Sequence, residues 1–462
     1  MHFSLYIFRF CTGNFQKWRY IADDKYFIFD FITEKERKNM AYGSRTPVTA
    51  IEFGTDKICV LHGCRDESGN AEVLAFAAAP SEGSVRKGSI VDPVKAGKIL
   101  GDLLERADSM IPGHNEHRFV YYLLNGSSIA SHRGRGSVVL HGGGTVTEEH
   151  IQDALEKANG LSLPNGVTQF SSYDSFFILD NQSRVKDPIG QIAGTLESVL
   201  HILTTDSKQI DTVNQILENN GFEYEGIPVF NGVASAFGVL RQEEREQGVL
   251  LIDFGQGACD YLLICADGIY HSGVLPVGVS HVANDLAIGL DLPYDFCLKF
   301  LSENRISKLR ENGTNFLEYT ASVTGKKRRI PLDSFEKIIE LRFREIFSII
   351  KQGIVKKKLI PCMTRGIVLC GGGAMLDGIQ KEASQVFEFP VRIGEPIGIT
   401  GVQTGFSNAM PCYAAILGLL KHALDDEAIQ ETGGLTWVRN IISSVGETVF
   451  GKIKRAKKVL EQ

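Results

Sequence analysis

The sequence has no apolar run of the roughly 18 to 20 residues that cross a bilayer as a helix, which excludes a spanning helix. No pair of its nine cysteines forms a Cys-x-x-Cys motif, and an odd number cannot all pair internally. That excludes a disulfide framework and fits the reduced thiols of a cytosolic protein. Positive charge is not in excess: 49 Lys and Arg face 55 Asp and Glu, for a formal charge of −6. A nucleic-acid coat is therefore excluded, and no nucleic-acid partner is expected. The glycines show no period of three, so the chain is not collagen-like. An apolar share of 43% excludes a chain too polar to collapse. What is present in surplus is glycine, 48 residues in 462, against a usual share of about 7%. Glycine collects where backbone turns tightly or must approach a ligand.

The two ends differ from the middle. Aromatic residues from Phe3 to Phe31 are mixed with charge, and Arg9 interrupts the apolar stretch Phe3–Phe10. No small-residue cleavage site follows, which argues against a secretory signal. Met40 precedes a short tail and a clean strand, and it reads as the initiator, with the first 39 residues upstream translation. A real N-terminal extension is the other reading.

At the C-terminus, Asp425–Gly434 is acidic, closes on two glycines and reads as a linker. Beyond it Val438, Ile442, Val445, Val449 and Ile453 recur at steps of three and four, one face of a helix. Ile441 widens that face, and Trp437 and Phe450 lie near its edge. Arg439, Lys452, Lys454, Arg455, Lys457 and Lys458 make the segment basic. A basic amphipathic helix on a tether suits a membrane surface: the apolar face enters the acyl boundary and the lysines attract anionic headgroups. Docking on its own domain or on a partner is the alternative.

In the middle, a strand beginning at Val48 carries Glu52 to a turn at Gly54-Thr55, and a second strand follows. About two hundred residues on, the design repeats: a strand carries Asp253 to a turn at Gly255-Gln256-Gly257, and another strand follows. Such turns expose backbone N–H groups that can cradle phosphates. A carboxylate beside them can hold hydrated Mg²⁺ between phosphate oxygens. One such hairpin is commonplace, whereas two with the same acid-to-glycine spacing are not. A third element runs from an apolar strand into Gly371-Gly372-Gly373, with a helix expected from about Leu376. A plain strand-to-helix turn is its blander reading.

This ordered set resembles the actin-like ATPase superfamily, and in detail its FtsA family of bacterial division proteins. The resemblance rests on Glu52-x-Gly54-Thr55-x-Lys57, Gly88–Asp92, Leu275–Gly278 with Asn284–Ala287, Arg342–Ile346, Val391–Pro396 and the basic tail. It covers roughly Thr46 to Leu460 and implies an α/β fold of two lobes around a nucleotide cleft, with ATP and Mg²⁺ between them. It implies Gly54, Thr55 and Lys57 at the phosphates, and Glu52 and Asp253 as catalytic acids facing the metal through water. Gly255 and Gly257 would offer backbone, Asp260 would support the second hairpin, and Gly278 would lie near sugar and phosphates. Arg342 and Glu345 would line the ribose and adenine side, and Gly371–Gly373 would pass under the adenosine.

The implied division is 1–46 as extension; 47–82, 197–248 and 411–424 as lobe 1; and 83–196 as an FtsA-type inserted subdomain of short strands with helices at Pro93–Met110 and near Glu148–Asn159. Residues 249–290 and 360–410 would form lobe 2, 291–359 its upper subdomain, 425–434 the linker and 435–462 the membrane helix. Implied partners are further copies in a filament, later division proteins, anionic lipids, and the acidic C-terminal peptide of the tubulin-like FtsZ. The basic run Lys326, Lys327, Arg328 and Arg329 would steer that peptide, a plain solvated loop being the other reading. The implied location is the cytoplasmic side of the inner membrane, at the septum. Two departures matter: the second hairpin has Ala258 where the family carries a hydroxyl, and Val279 follows Gly278 where the family has a paired glycine, so binding with little hydrolysis is expected. A PilM-like pilus-assembly ATPase and a sugar kinase of the same superfamily stay open as alternatives. His114, His117, His132, His141 and His150 match no zinc spacing. The Gly83–Ser89 segment has the glycine spacing of a P-loop without its lysine, and reads as a loop.

Overall fold

A computed structural model describes residues 27–29, 47–111, 119–266, 268–320, 327–401 and 410–432. The predicted membrane helix, including Trp437, Val438, Ile441, Ile442, Val445, Val449, Phe450, Lys452 and Ile453, lies outside the described residues, as does Lys326.

Two sheets share one topology. In the first, β1 (Val48–Phe53), β2 (Lys57–Arg65) and β3 (Ala71–Pro80) form an antiparallel meander. Strands β4 (Phe119–Leu124) and β5 (Ile227–Phe230) add in parallel on the far side of β1, giving the order β3-β2-β1-β4-β5. In the second, β6 (Val249–Phe254), β7 (Cys259–Cys265) and β8 (Gly268–Leu275) repeat the meander. Strands β9 (Ile367–Cys370) and β10 (Val391–Ile393) complete the order β8-β7-β6-β9-β10. The suspected repeat is thus a repeat of whole lobes. Both central strands are buried along nearly their whole length because each sheet is covered on both faces. Short strands Phe27–Phe29 and Ile399–Thr400 pair with the outer edge of β3.

Helices Asn231–Val239 and Ala414–Thr432 pack together, and Val249 and Leu251 of β6 join the core they share with lobe 1. Phe237 meets His422 edge-on between them at 4.8 Å, but at two points they meet without side chains. A β-carbon at Gly418 would run into the carbonyl of Ala234, and one at Gly238 into that of Ala414. Leu250, Ile252 and Phe254 face the other way, into the core of lobe 2, with Phe335, Phe343 and Phe347 of helix Leu332–Lys356.

Four expected boundaries move. The inserted subdomain does not begin at residue 83. Helix Pro93–Ser109 buries Ile99, Leu100 and Leu103 in the lobe 1 core, and β4 pairs with β1. The inserted unit is instead the sheet of Ala130–Thr145, Val167–Leu179, Ser183–Val185 and Ile192–Asp206 with helix Glu148–Asn159. It has its own core between Val138 and Ile202, and two of its strands, of 16 and 15 residues, are long rather than short. Its end passes residue 196, because the last strand continues to Asp206. It touches lobe 2 through Ser131 Oγ, which donates to Ser272 O at 3.0 Å, and through His201 Nε2, 2.8 Å from Ser272 Oγ. The linker is also displaced. Residues 425–432 extend the last helix, and Asp425 and Asp426 are bonded to Arg65 and Tyr121 of lobe 1 at 2.5 and 2.8 Å. Finally, a 3₁₀ turn Gly372–Met375 precedes the helix expected from Leu376, which starts at Ile379.

Candidate functional site

The two hairpins are closed by equivalent bonds. The amide of Gly54 donates to Lys57 O at 2.9 Å, and that of Gly255 to Ala258 O at 2.9 Å. Glu52 pairs across its hairpin with Cys59, and Asp253 pairs with Asp260. Position 57 therefore corresponds to 258: the first turn carries an ammonium where the second carries only a methyl.

The carboxylates converge. Burial raises the pKa of Glu52, Lys57 works against the rise, and Asp253 adds to it. Oε2 of Glu52 and Oδ1 of Asp260 are buried without a hydrogen bond of ordinary geometry, the Cys59 thiol and the Asn125 amide being the donors nearest the two acids. Burial also raises Asp253, opposed by hydrogen bonds from Ser235 Oγ at 2.5 Å and Asn231 Nδ2 at 3.2 Å. Asp260 stands well above the usual carboxylate range because it is buried and faces Asp253. The Asn231 amide also donates to Asp260 Oδ2 at 2.8 Å, so one NH₂ group bridges both acids. For Lys57, burial disfavours the charge, but Glu52, Cys59 and Tyr413 together outweigh it and hold the pKa above the ordinary lysine value. Its Nζ lies 5.0 Å from the Tyr413 ring centre and 3.4 Å from Cys412 O, so lobe 1 grips the start of the last helix here.

Three buried acids face a single buried ammonium, so negative charge is in excess, and this is the donor set that a hydrated divalent cation completes. It also fixes a pH response. A carboxyl whose folded pKa is raised stabilises the fold below its unfolded value near pH 4 and loses that contribution as pH rises toward the folded value. Asp260→Asn removes the term. Its melting temperature relative to the parent should climb as pH goes from 4 to 7, and a flat difference would refute the shift. His201 and His271, depressed to about 3 and about 4 chiefly by burial, act in the opposite sense but cancel in that difference.

The triple glycine meets the second hairpin closely. A β-carbon at Gly371, where φ is 81°, would strike Asp253 Oδ1, and one at Gly373 would lie 2.8 Å from Phe254 O. The bareness of these two is thus already demanded by packing, and only Gly372 faces open space, with Cys412 Sγ 3.8 Å away. Gly278 presses on the carbonyls of Gly255 and Gln256, and the amides of Val279 and Ser280 donate to them at 3.2 and 2.9 Å. Arg342 is forked onto Asp285 at 2.5 and 2.8 Å and reaches Glu345 at 2.7 Å, tying helix Val279–Leu290 to helix Leu332–Lys356.

The basic run stands apart from these groups, on hairpin Phe316–Thr320 and Lys327–Pro331. Arg328 caps the end of helix Val279–Leu290 through Asp291 Oδ2 at 3.1 Å and Leu290 O at 2.9 Å. Arg329 pairs with Glu318 at 2.9 Å. Two of these charges are matched within the subdomain, which weakens the steering reading.

Asn231 and Ser235 escape a reading of the sequence. Their signal was an Asn-Gly directly after an apolar strand, which resembles an ordinary turn.

Two lobes of the same β3-β2-β1-β4-β5 topology, facing each other across acid–glycine hairpins, define an actin-like protein. The structure of the PilM–PilN type IV pilus biogenesis complex shares the fold, with a TM-score of 0.57 at 13% identity over 82% of this chain and 99% of that one. The sequence itself matches the family of cell division protein FtsA over residues 250–418, and the SHS2 domain inserted in FtsA over 126–204, together more than half of the chain. It is 28% identical to the cell division protein FtsA of Borreliella burgdorferi over 90% of this chain and 97% of that one. It is 25% identical to that of Escherichia coli K12, over 88% and 96%. The chain belongs to the FtsA family of cell division proteins. The matched SHS2 segment coincides with the corrected limits of the inserted subdomain.

Proposed function

We propose that this protein binds ATP with Mg²⁺ between its lobes, assembles into actin-like filaments, and holds FtsZ filaments at the inner face of the membrane at the division site. The observation that supports nucleotide binding best is the meeting of Glu52, Asp253 and Asp260 at two like-built glycine turns, with negative charge in excess. Glu52 and Asp253 would hold the hydrated metal, which supplies charge neutralisation at the phosphates. Lys57 carries a cation to the first turn, while Asn231 and Ser235 orient Asp253 so that one of its oxygens is already spoken for. Ala258 offers no hydroxyl, and a buried acceptor left unmatched costs roughly 1–3 kcal/mol, so hydrolysis is slow and binding is the working state.

No helix among the described residues is long and apolar enough to cross a membrane. Attachment then rests on the basic amphipathic pattern of 435–462. Because Asp425 and Asp426 are anchored to lobe 1, the informative truncation falls after Thr432 rather than at Asp425. The full chain should sediment with vesicles containing phosphatidylglycerol, and the truncated chain should stay in solution. Equal sedimentation rejects the anchor. FtsZ capture is tested by reversing charge at Lys326, Lys327 and Arg329, sparing the structural Arg328; unchanged binding of the FtsZ peptide rejects this basic run as its dock.

A further inference from the structure

A third turn, Ser81–Ile90, stands beside the two hairpins, and the sequence gives it no role. It is fastened to the first hairpin. The amide of Ser81 donates to Asp56 O at 2.9 Å, Ser81 Oγ to Thr55 O at 2.6 Å, and the amide of Gly88 to Thr55 Oγ1 at 3.2 Å. Its base is fixed by buried Ser84, whose carbonyl accepts from the amides of Val91 at 2.8 Å and Asp92 at 3.1 Å. At its tip Lys87 and Gly88 have φ of 50° and 77°. That left-handed region is uncommon for a lysine, and such residues persist only where the surroundings hold them.

The tip also meets the second hairpin. A β-carbon on Gly257 would lie 2.5 Å from Thr55 Oγ1, 2.9 Å from Lys87 Cα and 3.0 Å from its amide nitrogen. All three turns therefore converge at one point, and a side chain at 257 would push them apart. Lys87 itself is exposed. Its charge reaches His281, on the first turn of helix Val279–Leu290 beside Gly278: burial first, then Lys87, lowers that ring's pKa. Lys87 thus places a positive charge across from Gly278, next to the turn that has Ala258 in place of a hydroxyl.

We propose that Lys87 is a phosphate-binding residue, whose ammonium contacts the terminal phosphates of the bound nucleotide and replaces the donor missing at Ala258. This deepens the ATP reading and rests on it. The full chain, Lys87→Gln, Lys87→Arg and Lys98→Gln are titrated with MgATP and with AMP. Lys98 is exposed on helix Pro93–Ser109, which follows the turn, so its variant removes an equal charge from outside the site. Loss of one charge-assisted contact should weaken MgATP binding by about tenfold in Lys87→Gln, with AMP affinity unchanged. Lys87→Arg should recover most of the loss, and Lys98→Gln should match the parent. The proposal is overturned if Lys87→Gln binds MgATP like the parent, if AMP binding falls equally, or if Lys98→Gln loses as much. If the parent itself does not bind MgATP, the ATP reading falls, and this proposal with it.

Discussion

Asp253→Asn should weaken MgATP binding by about a hundredfold, roughly 3 kcal/mol, while leaving the fold intact. The substitution keeps the shape and an acceptor for Ser235 and Asn231, which bond the same oxygen of Asp253. It removes the charge that a hydrated metal needs, and it relieves the repulsion that, added to burial, holds Asp260 above its ordinary range. Nucleotide affinity should therefore collapse as thermal stability in the unliganded state holds or rises. The same titration in EDTA should show little difference between parent and variant, since the lost contact acts through the cation. Unchanged MgATP affinity would remove Asp253 from the metal's shell.

The second large effect concerns stability. Gly418→Leu should cost roughly 3 kcal/mol or more, read as a lower midpoint in urea. The added side chain has nowhere to go: Ala234 O and the amide of Gly238 already occupy the space where its β-carbon would stand. Overpacked cores relax when neighbours change rotamer, but here the neighbour is backbone. Gly353 supplies the contrast. It lies within helix Leu332–Lys356 and has nothing within 4 Å of where a β-carbon would sit, so Gly353→Ala should stabilise by about 0.5–1 kcal/mol. A Gly418→Leu protein as stable as the parent would show that the helices can separate there at little cost.

How much of this was legible beforehand depended on whether the determinant was local. Glu52, Asp253 and their turns were visible because a strand, an acid and a glycine turn occupy one continuous segment, twice. The roles of Asn231 and Lys87 were not, because each depends on where a separate segment comes to rest. Asn231 matters because it lies between two acids more than twenty residues away in sequence. The inserted subdomain was placed too early for a related reason. Helix Pro93–Ser109 looks equally amphipathic whichever core it serves, and only β4 pairing with β1 assigns it to lobe 1. At Gly371–Gly373 the sequence does not distinguish a glycine needed for a ligand from one needed for a neighbour such as Asp253 or Phe254. The linker was misread because acidic residues look solvated in sequence, whereas Asp425 and Asp426 have specific partners on lobe 1.

The glycine crossing of helices Asn231–Val239 and Ala414–Thr432 has a mechanical consequence. The first helix presents Asn231 and Ser235 to the acids of lobe 2, and the second continues toward the basic tail. Where they cross, backbone bears on backbone at Gly238 and Gly418 while Phe237 meets His422 edge-on at 4.8 Å, so the two helices are seated against each other as one tight pair. The side chains that bond Asp253 and Asp260, and the helix that precedes the basic segment of the sequence, thus share one seat.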